Sequence, residues 1–254
     1  MIRMLLAAAL ALPLTASAAA VVESMKGTVR AGESALAQGQ RITAPVSVAT
    51  GAGSQVTLKF DDGMQIVLDE NSLLRMADFG STGKSTEDRA VFNLLRGGAR
   101  VVTGRIAGDN PMQFFFRTPQ AQLMVERPSD FSVVLVNPAY ITVHAGSLMV
   151  SNGWGTARLA AGSDTVVVEN NNAAPVPIAR SAIPASAATA MQNLNVASAG
   201  LPAGGAAAGA AATAGTGERI GFAVPAVLVT LGIAAAAVAS ASDNNGGVTT
   251  TPQH

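Results

Sequence analysis

From Ser54 to Leu68 the chain alternates with a period of two. Val56, Leu58 and Phe60 interleave with Thr57 and Lys59, and then Met64, Ile66 and Leu68 interleave with Gln65 and Val67. Asp61-Asp62-Gly63 lies between the two runs, and a glycine there supplies the positive φ that a tight turn needs. This predicts a β-hairpin. The same alternation recurs at 114–117, 131–136, 140–144 and 147–150, while Gly27, Gly39, Gly51 and Gly63 fall twelve residues apart. Short strands punctuated by regular turns predict an all-β domain over 20–170. The expected fold is a stack of short strands and hairpins, as a twisted β-solenoid or a sandwich.

The two ends do not alternate. Residues 1–18 run from Arg3 through a short apolar stretch to Ala16-Ser17-Ala18, the layout of a cleaved secretory signal peptide. Residues 220–242 carry no charge and would form a helix roughly 35 Å long, enough to span a bilayer core as a C-terminal transmembrane helix. Between the domain and that span, 171–219 reads as a linker, because 18 of its 49 residues are Ala, 6 Gly, 4 Pro and 3 Ser. Ala favours a short helix within 185–199. Residues 243–254 form a polar tail. The expectation is an exported domain in the periplasm or cell envelope, anchored to a membrane through 220–242.

Composition narrows the chemistry. With 16 basic and 16 acidic residues there is no basic surface for nucleic acid. With no cysteine and only His144 and His254, neither thiol chemistry nor a Cys- or His-based metal centre is expected, and no cofactor is implied. Gly80-Ser-Thr-Gly-Lys-Ser-Thr-Glu-Asp-Arg89 contains the Gly-Lys-Ser of a nucleotide-binding loop. The first glycine of that motif would have to stand at 78, which is Asp78, so the stretch reads as a turn and no nucleotide is expected. A helix through 90–95 would be the remaining argument for the motif.

Asp61 and Asp62 are separated from Asp69 and Glu70 by an extended run of roughly 20 Å, too far for a paired-carboxylate active site, and they read as solvated turns. His144 alternates outward beside Thr142, with no nucleophile elbow to serve. In Met112-Gln-Phe-Phe-Phe-Arg117, alternation places Met112, Phe114 and Phe116 on one face and Phe115 on the other, to be covered by a second layer or offered to a partner. Trp154, the only tryptophan, sits in the turn-like Ser151-Asn-Gly-Trp-Gly-Thr156. Phe115 and Trp154 are the binding candidates.

Several segments in order carry a family resemblance: Gly27-Thr-Val-Arg, Val46-Ser-Val-Ala-Thr-Gly51, Gly53-Ser-Gln-Val-Thr-Leu-Lys-Phe-Asp-Asp-Gly63 and Leu95-Arg-Gly-Gly-Ala-Arg-Val101. Phe116-Arg-Thr-Pro119 and Ile141-Thr-Val-His-Ala-Gly-Ser-Leu-Met-Val150 complete the series. Over about 25–168 the chain resembles the periplasmic domain of the FecR family. The resemblance implies a non-enzymatic domain of stacked strands in membrane-bound regulators that relay the occupancy of an outer-membrane receptor to a cytoplasmic sigma factor. Here a signal peptide stands where those regulators carry a cytoplasmic segment and a transmembrane helix. The expected function is therefore a non-catalytic, membrane-tethered module that binds an envelope protein or glycan in a scaffold or sensing role. A FecR-type relay to a sigma factor, or an envelope enzyme acting on polysaccharide, are the alternatives.

Overall fold

The computed structural model describes residues 19–84 and 86–198. The chain divides into two units, 1–209 and 210–254, and all described residues belong to the first. The expected signal peptide and transmembrane span lie outside the described residues. Among those described, no helix is long and apolar enough to cross a membrane.

The elements in order are β1 (Ala19–Lys26), β2 (Val29–Ala31), β3 (Ser34–Ala35), β4 (Arg41–Thr43), β5 (Val46–Thr50), β6 (Gln55–Phe60), β7 (Gln65–Leu68), β8 (Leu73–Gly80) and β9 (Arg89–Val102). After them come α1 (Arg105–Asp109), β10 (Phe114–Arg117), β11 (Gln122–Leu135), β12 (Ala139–Asn152), β13 (Gly155–Ala160), β14 (Thr165–Val168), β15 (Val176–Ile178) and α2 (Ala185–Ser198). All the strands hydrogen-bond into one continuous sheet, and the pairings show that it is folded over into two layers.

The first layer runs β3-β2-β5-β8-β9-β10-β11-β12-β13, using the first half of β9 and β11 and the second half of β12. The second runs β4-β1-β6-β7-β9-β11-β12-β14-β15, using the other halves. Val48, Leu74, Phe92, Leu123 and Val150 of the first layer meet Leu58, Ile66, Val101, Phe131 and Ile141 of the second in one buried core. Phe60 packs edge-on against Phe79 and Phe92, with centroids 5.0 and 5.3 Å away, and Phe116 against Phe131 at 5.5 Å.

Strands pass between layers at sharp corners, and each corner strand is clipped by a serine. Gly97 in β9 has φ +80, and the next N–H, from Gly98, donates to Ser72 Oγ at 2.9 Å. Gly146 in β12 has φ +79, and Ser147 N–H donates to Ser129 Oγ at 3.1 Å. Gly27, with φ +73, is followed by Thr28 N–H donating to Ser54 Oγ at 2.8 Å. A threonine completes two of the three. Thr50 Oγ1 accepts from Ser72 N–H at 2.9 Å, and Thr103 Oγ1 from Ser129 N–H at 2.8 Å. The twelve-residue glycine interval is thus not one structural repeat: Gly27, Gly39 and Gly63 adopt positive φ and Gly51 does not.

The hairpin expected at 54–68 forms as β6 and β7, with Lys59 opposite Gln65. Val67, expected on the polar side, is buried, because the outer face of the second layer is itself covered. Val67, Val134, Tyr140 and Val167 of that face pack against Ala187, Met191 and Leu194 of α2. Ordered structure therefore continues past Asn170, where composition placed the start of a linker: β15 pairs with β14, and α2 lies across the sheet. An Ala-rich segment needs few large side chains to dock when the facing strand residues supply the bulk.

Candidate functional site

The Gly-Lys-Ser stretch connects β8 to β9, and 90–95 is strand, not helix. Among its described backbone donors, those of Thr82, Gly83 and Lys84 are already used. Asp88 accepts from Thr82 Oγ1 at 2.8 Å and Gly83 N–H at 3.2 Å, and it pairs with Arg105 at 2.6 Å. Burial pushes the Asp88 carboxyl up, but Arg105 and the Thr82 donors outweigh this and hold it at about 2. The donors of Thr82, Gly83 and Arg105 thus serve a carboxylate of the chain itself.

The acidic turn residues are structural, and two of the four are not solvated as expected. Asp62 is buried and accepts from Met64 N–H at 3.0 Å and Ile106 N–H at 3.4 Å, which seats α1. Burial raises its pKa, and Asp69, also buried, is raised for the same reason. Asp61 pairs with Arg41 at 3.0 Å, and Glu70 accepts from Gly53 N–H at 2.6 Å. Among the described residues no cluster of three His, Asp or Glu is placed to hold a metal.

His144 is half-buried, and its Nε2 lies 2.9 Å from Ser132 Oγ. Alternation missed this pair because it joins β12 to β11 across a long-range pairing. Ser132 is fully buried, so its hydroxyl reaches no substrate. Arg100 forks onto Asp130 at 2.8 and 2.7 Å nearby, and Arg180 donates to Val143 O at 3.3 Å. Burial first, then Arg100 and Arg180 against the opposing Asp130, lower the His144 pKa. The group is a neutral part of the wall that α2 covers.

The binding candidates fall on the first layer, whose outer face nothing among the described residues covers. Phe114 and Phe116 are buried in the core, while Phe115 is half-buried on the outside. Met112 does not share the core face as alternation suggested: it sits in a single 3-10 turn at 111–113 and is 77% exposed. The Arg89 and Arg117 guanidinium groups lie over the Phe115 ring, 4.9 and 5.5 Å from its centroid. Trp154 stands in the β12–β13 turn, 64% exposed, where Asn152 Oδ1 accepts its backbone N–H at 2.9 Å. Beside that turn is a hollow of about 430 Å³ lined by Arg117, Gln120, Gln122, Ser151, Asn152 and Asn171. Phe115 and Trp154 thus lie on one layer but at separate places on it.

Residues 46–149 match the family described as FecR protein. Two crystal structures described as a "putative anti-sigma factor" from Parabacteroides distasonis ATCC 8503 share 20% and 17% identity with this chain, each with a TM-score of 0.42. Each alignment covers 52% of this chain and 59% of the other, so this chain spans less than two thirds of those proteins. Nothing among curated proteins matches. The matched segment opens four residues before Thr50 and closes three after Gly146, so it encloses both full threonine–serine–glycine corners. The likeness to the FecR family thus covers residues 46–149, the part of the sandwich that holds both of these corners.

Proposed function

We propose that this protein is a FecR-type relay module of the cell envelope, in which the sandwich receives a partner and α2 passes the event to the rest of the chain. The module does no bond chemistry. The observation that carries the reading is the attachment of α2. Its described apolar contacts to the sheet come chiefly from three side chains, Ala187, Met191 and Leu194, with Ala190 beside them. A 14-residue helix held by so small an apolar patch undocks at low cost, and bistable elements of this kind are how folds transmit a distant contact. The family match supports relay ahead of scaffolding.

The test compares transcripts from cells carrying the wild-type gene, a deletion, and Met191→Asp with Leu194→Asp, which frees α2 without touching the core between the layers. Relay predicts that the deletion and the α2 variant both shift one coherent set of transcripts. A module that only binds or scaffolds leaves transcription unchanged in both strains, and that result would end the relay reading.

A further inference from the structure

The uncovered face of the first layer carries a row of polar side chains that runs across the strands. Strand register places Ser47 opposite Arg75, Arg75 opposite Asn93, Asn93 beside Arg117, Arg117 opposite Gln122, Gln122 opposite Ser151 and Ser151 opposite Thr156. Their chain neighbours Val48, Leu74, Phe92, Phe116, Leu123, Val150 and Ala157 point into the core, so all seven face out. Seven strands at ~4.8 Å make a line roughly 30 Å long.

Among the described residues, Arg75 and Arg117 have no carboxylate partner, whereas Asp78 and Glu126 on the same layer are already paired with Arg89 and Arg158. The row therefore offers amide, hydroxyl and guanidinium donors with a net positive field. At one end it opens into the 430 Å³ hollow, where Gln120 Oε1 is buried without a hydrogen-bond partner. Trp154 stands exposed in the turn beside it.

We infer that this row is a binding track for a linear, anionic polysaccharide of the hexuronate class, lying across the strands with one end at the hollow beside Trp154. Three features favour a glycan over an acidic protein. The donors repeat at the strand spacing, which is comparable to the repeat of an extended sugar chain. A protein interface centres on a desolvated apolar anchor, but along this row Phe115 lies under two guanidinium groups and Met124 and Met149 are half-buried. The exposed Met112 and Trp154 stand in turns outside its strands. Sugar hydroxyls and carboxylates match guanidinium and amide donors, and an exposed indole is a stacking surface for a ring. Phe115 acts here as a positioning residue that holds Arg117 along the track. The inference stands on this face alone and does not require the relay.

The experiment titrates the full-length chain in detergent micelles with a defined oligogalacturonate, with neutral dextran and poly-glutamate as comparators. Saturable binding of the oligogalacturonate, weakened by salt, is expected. Arg75→Gln with Arg117→Gln should weaken it about tenfold, a discounted effect for two exposed charge-assisted contacts. Trp154→Ala should weaken it less, and Arg30→Gln, whose guanidinium bonds its own turn at Glu33 O, should change nothing. Both track arginines are exposed, so circular dichroism and the melting temperature should stay at wild-type values. The inference fails if no saturable binding occurs, if the double variant binds as wild type, or if poly-glutamate binds as tightly with the same arginine dependence.

Discussion

Replacing Gly97 by alanine tests whether the corners hold the sandwich together. Gly97 sits at φ +80, and a Cβ there would meet the Ser72 Oγ and stand 2.5 Å from Ser72 Cα. Gly63 is the matched control, because its φ is +87 and a Cβ there meets nothing within 4 Å. Both substitutions incur the left-handed backbone cost of roughly 1–2 kcal/mol for a residue with a side chain. Only Gly97→Ala adds overpacking against neighbouring backbone, about 1–3 kcal/mol. It also displaces Ser72 Oγ from the Gly98 N–H, and a buried donor left alone costs about 1–3 kcal/mol. Allowing for non-additivity between such close terms, Gly97→Ala should cost roughly 3–6 kcal/mol and Gly63→Ala roughly 1–2. A domain stable by about 5–15 kcal/mol would then lose much of its margin. The assay is urea unfolding followed by the strand signal in far-ultraviolet circular dichroism. Should Gly97→Ala not accumulate folded, Gly27→Ala gives an intermediate case, since its Cβ would meet Ser54 Cα at 3.0 Å. Equal midpoints for the Gly27, Gly63 and Gly97 variants would refute the corner argument.

Acid should act on the loop between β8 and β9 through Asp88. Its folded pKa of about 2 lies below the ordinary carboxylate value, so its contribution is present above about pH 4 and is lost as pH falls towards 2. Asp88→Asn should flatten that limb of the stability curve. His144 acts at milder pH: its folded pKa is lowered, so the unfolded chain takes up the proton first and stability declines as pH drops below about 6.5. Denaturant midpoints for His144→Gln between about pH 7.5 and 5.5 should fall less than those of wild type. The α2 helix should be the least protected long element in native-state hydrogen exchange. Leu194→Ala, at about 2–5 kcal/mol for a buried leucine, should release its amides while the β9 and β11 amides stay protected.

Period-two alternation found the β6–β7 hairpin and separated Phe115 from Phe114 and Phe116, because each depends on neighbours a few residues away. It could not find the long-range partners. Ser132 with His144, and Asp88 with Arg105, meet through pairings and loops that join distant residues. Asp62 was read as solvated for the same reason: the N–H it receives from Ile106 comes from 44 residues further on. Composition misplaced the end of the ordered region. The helix expected within 185–199 forms, but nothing in its own residues told that it docks, because Val67, Val134, Tyr140 and Val167 supply the opposing surface. The track on the first layer was hidden too. Its members lie on seven strands, and each is an ordinary polar residue at an outward position.

The corners explain why the chain carries a duplication that no fixed period reveals. Thr50, Ser72 and Gly97 do the same work as Thr103, Ser129 and Gly146, yet the separations between equivalents are 53, 57 and 49 residues. The unit conserved in geometry is the hydrogen-bonded corner, and the connections between corners vary in length. One carries the loop that Asp88 organises, and another carries α1 and the turn before β10. A regular period would require those connections to match, which nothing in the corner geometry demands. The corners instead demand two things: a residue without a side chain where Cα atoms crowd, and a hydroxyl that accepts the next amide. Both layers are thereby fixed at their edges, and the row from Ser47 to Thr156 keeps its spacing before any ligand arrives. For exposed, rotamer-rich side chains such as Arg75 and Arg117, that rigidity of the underlying strands lowers the cost of ordering them on a ligand.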